Sequence, residues 1–437
     1  MVFGKSFSRQ KQKILAFGAF IGCFFIAVQL NMLSKTFLDP LPLYHLEVDR
    51  MKPSIYNFSN SRSDVYEIIG DLRIQGSSST IFISNISCSW KVKPYARKHD
   101  TFAMGKVTTL KIKNNSNSSI TMPKCNQILS SNTSTPAIIF STGGYAGNPF
   151  HAFTDILLPL YFTSRQFNRS VLFLVFDMHP GWISKYKLIL DKLSQYNVVD
   201  VDDKRNRNNV LCFPRAIIGL KANEKEFTID DPVKKNVHHS TIMTNFTKLL
   251  RSAYSLERGS VLMGGNYRRP RMLVVCRRKG RHLLNKHEIA EMARGLGFDV
   301  VLKKIVWNVS IVARLVNSFD VMVGVHGAGL TNMLFLPENA IVIQIVPFGL
   351  EYIAKTCFKI PAMSMNLRYL EYKAELNEST LPSKYSGDGK IDYTDPAAIT
   401  KKGFEVFRSV YLDNQDLNIE LSRFRRTLLK ALEHLHV

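Results

Sequence analysis

From residue 137 onward, short continuous apolar runs alternate with stretches whose apolar residues recur every three or four positions. The runs at 137–141, 171–176, 198–201 and 210–218 predict strands buried on both faces, and the periodic stretches at 149–163, 182–193 and 239–254 predict helices between them. The pattern resumes after a glycine-bearing linker at 255–269. Strands are expected there at 272–276, 299–302, 321–325 and 341–346, with helices at 286–295 and 309–319. The last helix, 417–435, places Leu417, Leu421, Phe424, Leu428, Leu432 and Leu435 on one face. Strands alternating with helices predict an α/β fold with parallel sheets. The expected organisation is two Rossmann-like domains, at 76–262 (with a β-rich lead-in at 80–83 and 107–112) and at 263–412, with 413–437 packing back on the first domain.

The N-terminal part has a different pattern. Residues 14–33 are apolar apart from Gln29 and Asn31, and Lys5, Arg9, Lys11 and Lys13 precede them. That length spans a bilayer, and the basic flank predicts a cytoplasmic tail at 1–13. A cleaved signal peptide is the alternative, but no small-residue cleavage site follows Leu33. Residues 34–75, with scattered proline and a Ser/Asn cluster, are expected to form a stem. The reading is a single-pass type II membrane protein with its bulk in the lumen. Glycosylation sequons begin at Asn57, Asn85, Asn114, Asn117, Asn132, Asn168, Asn245 and Asn377, with a further one at Asn308 on an expected helix. Of the six cysteines, Cys23 lies in the apolar span, and Cys88, Cys125, Cys212, Cys276 and Cys357 are enough for two disulfides with one left over. Plain core packing is the alternative for Cys212 and Cys276. A net charge of +23 points to a polyanionic partner or an anionic membrane surface. Lumenal sequons argue against nucleic acid.

Three clusters carry candidate chemistry. The first is the loop Gly143-Gly144-Tyr145-Ala146-Gly147-Asn148 leading to His151 and Asp155. These two stand four residues apart on one helix face, where a carboxylate can orient an imidazole that takes a proton from a sugar hydroxyl. A self-satisfied structural pair is the alternative. The second is the basic strand-end loop Arg277-Arg278-Lys279-Gly280-Arg281, whose arginines have the planar donor fork that grips a diphosphate. Asn285 and Glu288 after it fit a helix cap. The third is His326-Gly327-Ala328-Gly329, expected to lead through Thr331 and Asn332 into a helix whose N–H groups favour phosphate, with Gln344 on the next strand. A D-x-D at Asp200 and Asp202, followed by Asp203, has the spacing of a divalent-cation site, but it runs into Lys204, Arg205 and Arg207. No metal or other cofactor is expected to be required.

The G-G-Y-x-G-N-x-x-H loop, the R-R-x-x-R loop before N-x-x-E, and the H-G-A-G-L-T-N block with its later Q-I-V-P resemble, in this order, the plant members of glycosyltransferase family 61. The resemblance covers roughly residues 135–360. It implies two Rossmann-like domains of the GT-B type and inverting transfer from a UDP-sugar without an obligatory metal. A UDP-pentose, of xylose or arabinofuranose, would be the donor and xylan the acceptor, while other members modify N-glycans or O-linked mannose. A non-catalytic, membrane-anchored polysaccharide-binding protein is the reading from another class. One departure stands out: Ala152 follows His151 where many plant members carry an acidic residue, and if that acid is their base, either His151 or Asp155 takes its place here or the acceptor differs.

Overall fold

The computed structural model describes residues 52–437, except 85, 87, 115–121, 127–133, 224–239, 262–268, 306–307, 386–390 and 437. The expected cytoplasmic tail, the apolar span, the stem up to residue 51, and the sequons at Asn85, Asn117 and Asn132 therefore lie outside the described residues. Among the described residues, no helix is long and apolar enough to cross a membrane.

Two sheets organise the fold. The first is nine-stranded and mixed: β1 (Ser54–Asn57), β2 (Tyr66–Gln75), β3 (Thr80–Ile83), β4 (Trp90–Val92), β5 (Leu110–Asn114), β6 (Ala137–Ser141), β7 (Leu172–Phe176), β8 (Val199–Asp200) and β9 (Val210–Ile218). Its order is 4-5-3-2-9-6-7-8, with β1 against β2. The strands β6, β7, β8 and β9 run parallel, while β2 is antiparallel to both β3 and β9. The second sheet is wholly parallel: β10 (Arg271–Cys276), β11 (Asp299–Lys304), β12 (Val321–Val325), β13 (Ile341–Val346) and β14 (Arg368–Lys373), in the order 11-10-12-13-14. Every residue of β6, β7, β12 and β13 is buried, which explains their unbroken apolar runs. The longer helices are α1 (residues 149–164), α2 (Trp182–Leu193), α3 (Ser240–Tyr254), α4 (Lys286–Gly295), α5 (Val309–Asn317), α6 (residues 351–364) and α7 (Leu421–His436). One apolar core includes side chains from both sheets.

The second sheet fixes where a ligand site can lie. From β10 the chain winds one way through α4 to β11, then crosses to β12 and winds the other way to β13 and β14. Between β10 and β12 the two connections depart in opposite directions and leave a crevice at the carboxyl ends of those strands. The basic loop follows β10, and the turn containing His326 follows β12.

Several expectations are corrected. Residues 54–57 and 66–75 belong to the first sheet rather than to a stem. The register of β2 against β9 shifts between Ile69 and Leu72, beside Gly70 at φ +150°. This bulge breaks the two-residue alternation that would have marked the strand. The turn after β12 enters an eight-residue 3-10 helix (Ala328–Phe335), not an α-helix. Asn285 does not cap α4; its amide and carbonyl bond the Ile419 carbonyl and N–H. That contact, with the backbone pairing of Leu417 to His282 and Leu284, holds 417–419 extended. The last helix consequently starts at Leu421, and it packs on α4 and β14 rather than on the first sheet. Among the described residues one disulfide is present, Cys125–Cys212, where two were expected, while Cys88 and Cys276 remain thiols.

Because Leu72 is fully buried in β2, Leu72→Ala is expected to lower stability by about 2–5 kcal/mol, measured by denaturant unfolding. A stem residue would show no such loss.

Candidate functional site

Asp155 anchors the first cluster. It is 0% exposed, on the six-residue π-helical stretch Ala152–Leu157 within α1. Such bulges recur at functional sites. Its Oδ1 accepts from Arg62 Nη2 at 2.8 Å and from the Thr154 hydroxyl at 2.8 Å. Its Oδ2 accepts from Arg97 Nε at 2.8 Å, from the Tyr95 hydroxyl at 3.0 Å and from His151 Nδ1 at 3.0 Å. Burial alone would raise its pKa, but Arg97, His151 and Arg62 outweigh that and hold the carboxyl well below the usual range. Burial and the Asp155 charge in turn push the Tyr95 phenol far up, so it stays a donor.

An ionised carboxylate only accepts hydrogen bonds, so the His151 proton sits on Nδ1 and the lone pair on Nε2. The His151 side chain is 19% exposed. The pair therefore has the geometry of an oriented base, with Asp155 positioning it. The glycine loop in front of it has structural duties. A Cβ on Gly144 would stand 2.4 Å from the Tyr95 ring, and Tyr145 N–H donates to the Tyr95 hydroxyl at 2.9 Å. Gly147 backs onto His179. Asn148 caps α1, its Oδ1 accepting from Phe150 N–H. These contacts give Gly144, Gly147 and Asn148 structural roles in the loop.

The second and third clusters meet at the crevice of the parallel sheet. Arg277 donates from Nε to the Gly280 carbonyl at 2.7 Å, from Nη2 to Lys279 at 3.3 Å, and from Nη1 to the His326 carbonyl at 3.4 Å. Its guanidinium passes so close to Gly327 that a Cβ there would meet Nη1 at 2.1 Å. With φ at +143°, a side chain here would be strained, and it would displace the Arg277 guanidinium. Gly280 and Arg281 both adopt positive φ, at +51° and +53°. Arg281 Nε is buried without a hydrogen-bond partner among the described residues. Burial and then the Arg277 charge push Arg281 down to about 9, against the pull of Asp413, so the guanidinium still carries its charge at neutral pH. Burial likewise lowers Arg277. Arg278 is exposed.

His326 is buried beside them, and burial, Arg281 and Arg277 push its pKa well down. The neutral ring accepts at Nδ1 from Gln344 Nε2 at 2.8 Å, and Gln344 Oε1 accepts from the Tyr369 hydroxyl at 2.8 Å. This relay leaves the proton on Nε2 of His326, a neutral donor next to two cations. Gly329 packs on Val275, and Ala328 opens the 3-10 helix. The Thr331 hydroxyl is buried with no partner among the described residues.

Phe358 of α6 joins the two halves, its ring 5.6 Å from Phe150 and 5.3 Å from His326. It was missed in the sequence, as were Arg62, Tyr95 and Arg97, which lie 58 to 93 residues before Asp155. No spacing rule links residues that far apart. Glu288 is exposed on α4. Asp200 Oδ1 accepts from Asp202 N–H, Asp202 Oδ2 accepts from Asp177 N–H, and Asp203 pairs with Arg205. Among the described residues, no group of three His, Cys, Asp or Glu is arranged to hold a metal ion. The sequon residues Asn57, Asn168, Asn245, Asn308 and Asn377 are exposed, while the Asn114 amide donates to the Ile86 carbonyl.

The family model Glycosyltransferase 61 matches residues 150–343, which contain His151, Asp155, Arg277, Arg281 and His326. The beta-1,2-xylosyltransferase XYXT1 of Oryza sativa subsp. japonica is 34% identical over 413 residues, covering 88% of this chain and 86% of that protein. The xylan glycosyltransferase MUCI21 of Arabidopsis thaliana is 34% identical over 393 residues, covering 85% and 77%. The chain belongs to glycosyltransferase family 61. Another similar member, the alpha-1,3-arabinosyltransferase XAT3 of Oryza sativa subsp. japonica, is 42% identical over 390 residues, which is 87% of this chain. The match spans 65% of the length of that relative.

Asp155→Asn strands Arg62 and Arg97 in the interior, so it is expected to cost about 3–5 kcal/mol at neutral pH. Asp155 has a depressed folded pKa. Its contribution is therefore complete above the ordinary carboxylate range and is lost as pH falls toward the folded value. Denaturant unfolding across pH should show the gap between parent and variant narrowing in acid; a gap independent of pH would contradict the assignment.

Proposed function

We propose that this family 61 member is an inverting glycosyltransferase that moves a pentose, xylose or arabinofuranose, from a UDP-sugar onto xylan as a side chain. The observation that carries the reading is the paired, partly buried Arg277 and Arg281 beside neutral His326, at the crevice of a parallel sheet. The arabinosyl- and xylosyltransferases of rice suggest the pentose, and the xylan glycosyltransferase of Arabidopsis suggests the acceptor.

In this reading two Rossmann-like lobes, 76–262 with its lead-in strands and 263–412, form a GT-B type arrangement. The second lobe holds the donor. Arg277 and Arg281 take the diphosphate and neutralise its charge as it leaves, so the proposal requires no metal. His326 Nε2 donates to a phosphate or sugar oxygen. The acceptor lies along the first lobe, where His151, oriented by Asp155, removes a proton from its hydroxyl. The resulting oxygen attacks C1 from the face opposite UDP, the C1–O bond to UDP breaks, and the configuration inverts. An N-terminal anchor in the Golgi membrane, with the catalytic part in the lumen, completes the proposal.

Purified protein offered a panel of UDP-sugars with xylo-oligosaccharides is expected to transfer a pentose, and failure with every donor would overturn the reading. Charge-assisted hydrogen bonds contribute about 1.5–3 kcal/mol each. Arg277→Ala/Arg281→Ala should therefore lower kcat/KM by roughly 100-fold or more. Gly327→Ala, which keeps both arginines but fills the guanidinium's place, should act in the same direction. His151→Ala should lower kcat by about 10²–10⁴-fold with little change in donor KM.

A further inference from the structure

A file of aromatic rings runs from the protein surface to the nucleotide-sugar crevice. Phe102 stacks on Tyr145 with centroids 6.0 Å apart and planes 19° from parallel. Tyr145 lies 4.6 Å from the His151 ring. His151 touches Phe150 at 5.3 Å, and Phe358 continues the file to His326. The candidate base is thus one member of a continuous row whose inner end is the buried His326 and whose outer end is Phe102, 56% exposed.

The outer end is held by a specific device. Phe102 sits on the short helix Thr101–Gly105, capped by Asp100, whose Oδ1 accepts both Ala103 N–H at 2.9 Å and the Tyr145 hydroxyl at 3.1 Å. One carboxylate therefore ties the short helix to the glycine loop and sets the Phe102 ring against Tyr145. A single exposed phenylalanine needs no explanation. A phenylalanine locked in register with a tyrosine and a candidate base calls for one.

We infer that Phe102, backed by Tyr145, forms an acceptor-binding platform on which a pyranose ring of the xylan chain stacks, so that a hydroxyl further along the chain reaches His151 Nε2. The chemistry favours a sugar. The electron-rich ring face attracts the polarised C–H bonds along one side of a pyranose, and a flat apolar patch with a few polar groups at its edge matches a sugar's two-sided character. The Lys106 ammonium lies over the Phe102 ring itself, 4.1 Å from its centroid, as a cation–π contact. On its flexible stem it shifts to donate to a sugar oxygen when a ring stacks. This inference rests on the xylan pentosyltransferase reading for the identity of the sugar.

Titration calorimetry of the whole protein with β-1,4-xylo-oligosaccharides tests it apart from catalysis. Phe102→Ala is expected to weaken oligosaccharide affinity roughly tenfold and Phe102→Trp to restore it, with UDP affinity measured in parallel as the check on folding. In transfer assays the alanine variant should raise the acceptor KM by a similar factor and leave kcat nearly unchanged. Equal oligosaccharide affinity in parent and Phe102→Ala protein, or no affinity in the parent, overturns the platform. A parent that binds xylo-oligosaccharide through Phe102 but transfers no sugar would support the platform and refute the transferase reading.

Discussion

Two guanidinium groups held together with too few anions around them are the constraint on which the site depends. Arg277 and Arg281 repel each other and are both partly withdrawn from water. The protein meets this only in part. Three backbone carbonyls receive Arg277, and Asp413 acts at longer range on both arginines. Arg281 Nε has no partner among the described residues. A buried cation without matched acceptors is costly, so the site gains most from a ligand with several negative oxygens. Burial, reinforced by the same field, keeps His326 neutral, which turns it into a hydrogen-bond donor rather than a third positive charge.

The opposite solution is used in the first sheet's cluster. Asp155 is one buried anion among two arginines, a histidine and two hydroxyls, fully satisfied and therefore rigid. Its role is to fix the imidazole, because a carboxylate so well compensated has little tendency to take a proton. The two clusters therefore differ in what they can do. A saturated network gives a fixed imidazole, and an unsaturated one leaves capacity for a ligand. Phe358 couples them by touching Phe150 on one side and His326 on the other.

Much of the fold was legible in the chain because the parallel strands are buried on both faces. The expected strands at 137–141, 210–218, 321–325 and 341–346 coincide with β6, β9, β12 and β13, since an unbroken apolar run bounded by turn residues has few other uses. What escaped has specific causes. The bulge at Gly70 hid β2, and the side chain of Asn285 was spent on Ile419 rather than on its own helix. Glycines that read as ligand contacts also stand against close neighbours, Gly144 against Tyr95 and Gly327 against Arg277. The second case still marks the site, because the arginine it accommodates belongs to it. The pairing of His151 with Asp155 was visible at four-residue spacing. The arginines and tyrosine that hold Asp155 come from distant segments and leave no local trace.

A crystal structure of the protein with uridine diphosphate bound would show whether the crevice between β10 and β12 receives a pyrophosphate. The account predicts diphosphate oxygens within hydrogen-bonding distance of Arg277 and Arg281, with Arg281 Nε newly partnered. A nucleotide lodged elsewhere, with Arg277 still donating only to the carbonyls of Lys279, Gly280 and His326, would contradict it.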